Sequence, residues 1–370
     1  MNTILCGSVR KARESVSVRG TPKAIRGPVF SGLRRVLVLV LLATAGASAA
    51  AEETAGAIER KFNPGHYVAL DMWDDDPDSI RDVLRPGVRG VQKRYAWRDL
   101  EPRKGEYDLS AIAEDLAVVR ETGHQLVVFV FDKSFRDEYY TPEYLRESHT
   151  LPIRSPEPGE GYVSMRWDPY VVDRLGRLLE AIGRRFDSDP RFEGLALQES
   201  ALGVADSIRD QKGYTPERYR DALIEILGSA RAALPRSQVF WYMNYLWRGQ
   251  AMLGSVIEAT APWEIVVGGP DVLPDSVPLN RHVYPLMKAY RDRTMFISAQ
   301  FDSYRHPRAD ADGPVRYWTP QEIFEFARNE LQVEYLFWNR VIQAKPPGSH
   351  DSEDAYPVIA AHPDFPDTVH

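Results

Sequence analysis

Eight times along this chain a short apolar run ends on side chains able to hold or transform a polar ligand. The first four ends carry Asp71 with Trp73, Arg94 with Trp97, Asp132 with Lys133, and Gln198 with Glu199. The next four carry Asn244 with Tyr245, Asp271, Gln300 with Asp302, and Trp338 with Asn339. Carboxylates, amides and aromatics dominate these positions. The mixture suits sugars, whose ring faces stack on Trp and Tyr while their hydroxyls take paired hydrogen bonds from Asp, Asn, Gln and Arg. Two carboxyl groups in such a place can also divide acid and base work between them. None of the eight histidines forms an HxH or HExxH pair, so no metal is expected. There is no GxSxG elbow for a serine nucleophile, and no Gly-rich phosphate loop follows the first run, so no cofactor is expected either.

The runs themselves predict the elements that position these residues. Strands are expected over Tyr67–Met72, Gly90–Tyr95, Gln125–Phe131, Gly194–Glu199, Gln238–Met243, Glu264–Gly268, Thr294–Gln300 and Tyr335–Trp338. Their interiors are apolar on consecutive positions, as in Val127-Val128-Phe129-Val130-Phe131, which is what a strand covered on both faces requires. Between them lie stretches with helical spacing: 110–122, 168–186, 216–234 and 321–330. Thr215-Pro216 and Thr319-Pro320 each place an N-cap before a proline at the first helical position. Strands alternating with helices imply a parallel sheet. Eight units in roughly 300 residues match a closed (β/α)8 TIM barrel, in which working residues sit at the C-terminal strand ends. The domain is expected over residues 62–345. Residues 132–167 form a long connection that should overhang the barrel mouth, and 346–370 read as a tail with one short helix.

Upstream, Arg34-Arg35 precede an apolar run over 36–51 that closes on small residues before Glu52-Glu53. This pattern predicts a signal peptide over residues 1–49, with a secreted or periplasmic product; the run is short for a membrane span, and a retained anchor is the alternative. Cys6 is the only cysteine, so the exported part would have neither disulfide nor thiol chemistry. Residues 50–370 hold 38 Lys and Arg against 52 Asp and Glu, a net charge of −14. That balance argues against nucleic acid and anionic membranes as partners and is compatible with a carbohydrate.

The stretch Arg94-Tyr-Ala-Trp97-Arg-Asp-Leu-Glu101-Pro102-Arg-Lys-Gly105-Glu-Tyr107-Asp108 resembles the W-x-x-L-E-P-x-x-G-x-Y-D signature after the second strand of clan A glycoside hydrolases, family 42 β-galactosidases above all. Beyond it the likeness continues as element order, as in family 5-like barrels. The resemblance implies an acid/base glutamate after the fourth strand, where Gln198-Glu199 stands, with Arg94 closing strand two and Trp338 closing strand eight. It also implies a nucleophilic glutamate at the end of strand seven, and there this chain has Gln300.

Glu199 is therefore one expected catalytic residue, and Asp302 or Asp271 the second. Asp302 would point with Gln300 if the strand continued, about 6–7 Å further along at a rise of roughly 3.3 Å per residue. That step could widen a carboxyl pair from the ~5.5 Å of a retaining enzyme toward the ~6.5–9.5 Å of an inverting one. Apolar neighbours of Glu199 would raise its pKa, as a general acid needs; the rival reading is a structural glutamate paired to Arg94. Gly268-Gly269-Pro270 would present Asp271 inward, or serve only as a turn. Arg94, Gln198, Asp71, Trp73, Asp132, Asn244, Tyr245, Gln300 and Trp338 are expected to contact the sugar. Trp73 would be an exposed platform beside a solvated acidic helix start. Function follows as an exported glycoside hydrolase; the alternative, prompted by Gln300, is a catalytically silent barrel that binds carbohydrate in envelope or exopolysaccharide assembly.

Overall fold

The structure, a computed structural model, describes residues 58–74, 76–153, 161–308, 315–341 and 345–367. The predicted signal peptide over 1–49 lies outside them. Ten strands form among the described residues: β1 (Gly65–Leu70), β2 (Val88–Ala96), β3 (Gln125–Phe131), β4 (Thr150–Ile153), β5 (Gly161–Ser164), β6 (Phe192–Leu197), β7 (Gln238–Tyr242), β8 (Val266–Gly269), β9 (Met295–Ala299) and β10 (Tyr335–Asn339). Eight of them close a parallel barrel in the order β1-β10-β9-β8-β7-β6-β3-β2, while β4 and β5 pair as an antiparallel hairpin. The protein is a (β/α)8 TIM barrel. Each barrel strand matches one of the predicted apolar runs.

Alternation divides the core into two layers. Tyr67, Phe129, Phe240, Phe296, Tyr335 and Phe337 fill the barrel. Their rings meet edge-on, as Phe240 and Tyr335 do at 5.1 Å. Val68, Val128, Leu195, Trp241 and Ile297 point the other way, into the surrounding helices. Packing rings this large into an eight-stranded barrel requires local relief. A Cβ on Gly268 would sit 2.0 Å from the Phe296 carbonyl oxygen and 2.5 Å from its ring.

The helices begin where their caps predict. Asp168 accepts from Tyr170 N before Pro169–Phe186, and Thr215 accepts from Arg218 N before Pro216–Ala233. Thr319 and Glu322 form a reciprocal capping box. The segment read as a tail carries a helix over Ser352–Ala361 that buries Ala355 and Ile359, and Phe365 beyond it stacks on His66 at 4.8 Å. Residues 132–167 hold a short helix (Glu143–His149) and the β4–β5 hairpin.

The signature after β2 proves to be an anchor for that overhang. The fully buried Glu101 carboxylate accepts from Trp97 Nε1, Gly105 N and Tyr144 Oη, each at 2.8 Å, and from the Arg174 guanidinium. Removing one partner of a buried ion pair strands the other's charge, at a cost of about 3–5 kcal/mol. Arg174→Met should therefore lower the free energy of unfolding by about 3 kcal/mol. Urea titration followed by circular dichroism would show it as a lower midpoint with an unchanged slope.

Candidate active site

The C-terminal strand ends open into a cleft of about 370 Å³. Asp71, Trp73, Arg94 and Gln198 line it, as do Glu199, Asp271, Gln300 and Asp302, so eight of the twelve predicted residues meet in one place. Phe129, Phe131, Tyr140 and Tyr242 line it as well. Sequence reasoning missed these four as site residues, although the inward alternation of β3 and β7 places Phe129, Phe131 and Tyr242 on the mouth side.

Glu199 lies just beyond β6 with its side chain 16% exposed. Its Oε1 accepts from Lys133 Nζ at 2.7 Å and its Oε2 from Asn244 Nδ2 at 2.6 Å. Lys133 also donates to the Ala201 carbonyl at 2.8 Å. The backbone that carries Lys133 is held by Gln198: Oε1 accepts from Asp132 N and Lys133 N, and Nε2 donates to Lys133 O. Arg94, the partner of Glu199 in the rival structural reading, instead bonds Asp71 at 3.1 Å and Asn339 Oδ1 at 3.3 Å.

These partners reverse the expected ionisation. Burial pushes the Glu199 carboxyl up, but the charge and hydrogen bond of Lys133, the Asn244 amide and the Arg166 charge together hold it below its ordinary value. Asp271 has no such cation. Burial, followed by the charges of Glu199 and Asp302, pushes its carboxyl up to about 8. Lys133 and Asn244 thus favour the anion at Glu199, whereas burial and the neighbouring acids favour the protonated form at Asp271.

Asp302 reaches the cleft by a different route from the one predicted. The strand does not continue: β9 stops at Ala299, Gln300 takes the cap position, and Asp302 falls in the first turn of Phe301–Arg305. Gln300 does occupy the seventh-strand position. Asn244 is 8% exposed and serves Glu199, with its Oδ1 left unpartnered. Tyr245 is half-buried near both acids, whose charges add to burial in raising its phenol.

Two predicted contacts are corrected. Trp338 is fully buried with its ring among the helix-facing residues and its Nε1 donating to His66 Nδ1 at 3.1 Å. Phe337 faces the barrel interior, so alternation turns Trp338 outward, and Asn339 is the β10 side chain that meets Arg94 in the mouth. Asp132 lies behind the cleft, where it accepts from Arg166 Nε at 2.8 Å and Nη2 at 2.6 Å and from Ser164 Oγ. Buried at 4% exposure and turned to Arg166 and Ser164, it does not face the cleft.

No protein-family model matches the chain, and no curated protein matches it in sequence. Solved structures do match its fold. The catalytic domain of β-amylase from Paenibacillus polymyxa aligns with a TM-score of 0.55 at 9% identity, over 75% of this chain and 92% of that one. β-Galactosidase from Rahnella sp. R3 aligns at 0.54 and 11% identity, over 84% of this chain and 57% of that one. β-Galactosidase from Bacillus circulans sp. alkalophilus aligns at 0.54 and 12%, over 83% and 56%. The chain spans little more than half the length of these β-galactosidases. The likeness is one of fold: a barrel shared with glycoside hydrolases, without a particular family among them.

Proposed function

We propose that this chain is an exported glycoside hydrolase that cleaves an oligo- or polysaccharide with two carboxyl groups. The observation that carries the reading is the placement of Glu199 and Asp271 on one aromatic-lined cleft at the barrel mouth, with Lys133 and Asn244 bonded to Glu199 alone. Glycoside cleavage needs a proton for the leaving oxygen and an anion for the positive charge that develops on the sugar ring. Asp271 holds such a proton at pH 7. Glu199 presents such an anion, pre-ionised by Lys133 and oriented by Asn244, and acts either as nucleophile or as the base for an attacking water. Asp302 contributes by keeping Asp271 protonated. Trp73 offers an exposed ring face for a flanking sugar, while Arg94, Asp71 and Gln300 supply polar groups for its hydroxyls. Export rests on the predicted signal peptide. Gln300 removed the seventh-strand carboxylate and prompted the binding-only alternative; with Asp271 and Asp302 in the same cleft, that alternative loses its motive.

The test is digestion of a panel of polysaccharides by the protein lacking residues 1–49, read as new reducing ends. Release from at least one glycan, lost in both Glu199→Gln and Asp271→Asn, is the expected result; turnover that survives both changes would refute the reading. Lys133 provides a subtler check. Lys133→Met leaves burial to act on Glu199 without the opposing cation, so its carboxyl should climb above its ordinary value. The acidic limb of kcat/KM against pH would then move upward by about one pH unit or more while the basic limb stays in place. An unmoved acidic limb would remove Lys133 from the role described.

A further inference from the structure

We propose that Arg136 and Trp73 form a subsite for an anionic sugar at the rim of the cleft, which deepens the glycosidase reading by assigning its substrate an acidic substituent. The argument starts from how charge is distributed in the mouth. Each of the other cations lining the cleft is already matched: Arg94 by Asp71 at 3.1 Å and Lys133 by Glu199 at 2.7 Å. Arg136 lines the same cleft, and among the described residues no carboxylate pairs with it.

Acids are close at hand all the same. Asp137 and Glu138 follow directly in sequence, yet the backbone turns both away. Asp137 accepts from Tyr162 Oη at 3.2 Å, and Glu138 from Arg98 Nη2 at 3.3 Å and Tyr140 Oη at 2.9 Å. The turn is held by the fully buried Ser134, whose hydroxyl donates to the Arg136 carbonyl at 2.8 Å and to that of Glu138. The guanidinium itself lies over Trp73, 4.6 Å from the ring centroid, and Trp73 is 42% exposed. Stacking leaves the in-plane N–H fork of an arginine open to a carboxylate or sulfate, which it can grip through two parallel bonds. The aromatic ring beside it offers an apolar face to the same sugar. In residues 50–370, with a net charge of −14, a polyanion is repelled overall. Retention of one must therefore come from a local site.

Affinity electrophoresis tests this without any need for turnover. The protein carrying Asp271→Asn, which leaves the Lys133–Glu199 pair in place, is run through gels containing polygalacturonate, alginate, sulfated galactan or neutral galactan. Retardation by an acidic glycan, weaker or absent with neutral galactan, is expected, and the polygalacturonate, alginate and sulfated arms tell a uronate from a sulfate ester. Adding Arg136→Gln should weaken that retention by about tenfold or more, as the loss of a charge-assisted pair implies, with part of it kept in Arg136→Lys. Equal retention by neutral galactan, retention indifferent to Arg136→Gln, or no retention by any acidic glycan would overturn the subsite. None of those outcomes touches the glycosidase reading, which stands or falls on cleavage; conversely, an acidic glycan bound through Arg136 while the parent protein cleaves no glycan of the panel would sink that reading and leave the subsite in place.

Discussion

Asp271→Asn should cost about a thousandfold or more in kcat/KM on a natural glycoside and, at pH 8, leave the protein more stable than its parent. Both effects come from one cause. Burial and the charges of Glu199 and Asp302 make ionisation of Asp271 unfavourable in the folded state, so its carboxyl stays protonated to about pH 8. In the unfolded chain the same carboxyl ionises near 3.8. As pH rises from about 4 to 8 the unfolded state therefore gains a charge that the folded state refuses, and stability drains away across that window. Asparagine cannot ionise and is spared this loss. At ~1.4 kcal/mol for each pH unit between those two values, discounted for a half-buried group, the gain should be about 2–4 kcal/mol at pH 8 and close to nothing at pH 4. Chemical denaturation of both proteins at the two pH values measures it; equal stability at pH 8 would show that Asp271 is ionised in the native protein. The same proton should set the basic limb of the parent's pH–rate profile near 8.

Glu199→Gln should lose at least as much activity, and the two variants part company on activated substrates. An aryl glycoside with an acidic phenol leaving group needs little protonation, so Asp271→Asn should recover most of its deficit there. Glu199→Gln should recover none, because an amide can neither attack the sugar nor activate water whatever the leaving group. If Glu199→Gln were the variant rescued, Glu199 would be the proton donor and the assignment of roles would be reversed. The substitution has a structural side too. It removes the negative charge that the buried Lys133 ammonium faces, leaving that cation with only neutral partners: the new amide oxygen, the Ala201 carbonyl and the Phe135 ring. Thermal unfolding should therefore begin lower in Glu199→Gln, and Lys133→Met on top of it should restore part of the loss.

How much of this was legible beforehand differs between levels of structure. Apolar runs such as Gln125–Phe131 and caps such as Thr215-Pro216 act through their own backbone and nearest neighbours, so eight strands, the helix starts and the identity of the mouth-facing end could all be read from short stretches. From those, the convergence of Asp71, Arg94, Glu199, Asp271 and Gln300 on one cleft followed. The Trp97–Asp108 signature was legible as a resemblance, but its chemistry was not: Glu101 is engaged by Arg174, 73 positions away in the chain.

Local periodicity was enough for the barrel and for the set of residues at its mouth, because each strand and cap is written in a handful of neighbouring positions. Which of those residues are free to act emerged only once the strands had closed on one another. Trp338 is turned outward by its phase within β10, Asp132 is consumed by Arg166, and Glu199 is ionised by a lysine that is 66 residues distant in sequence and 2.7 Å away in space. Ionisation is set by charges and burial within a few ångströms, and in a closed barrel those neighbours come from other strands. No local pattern can encode them.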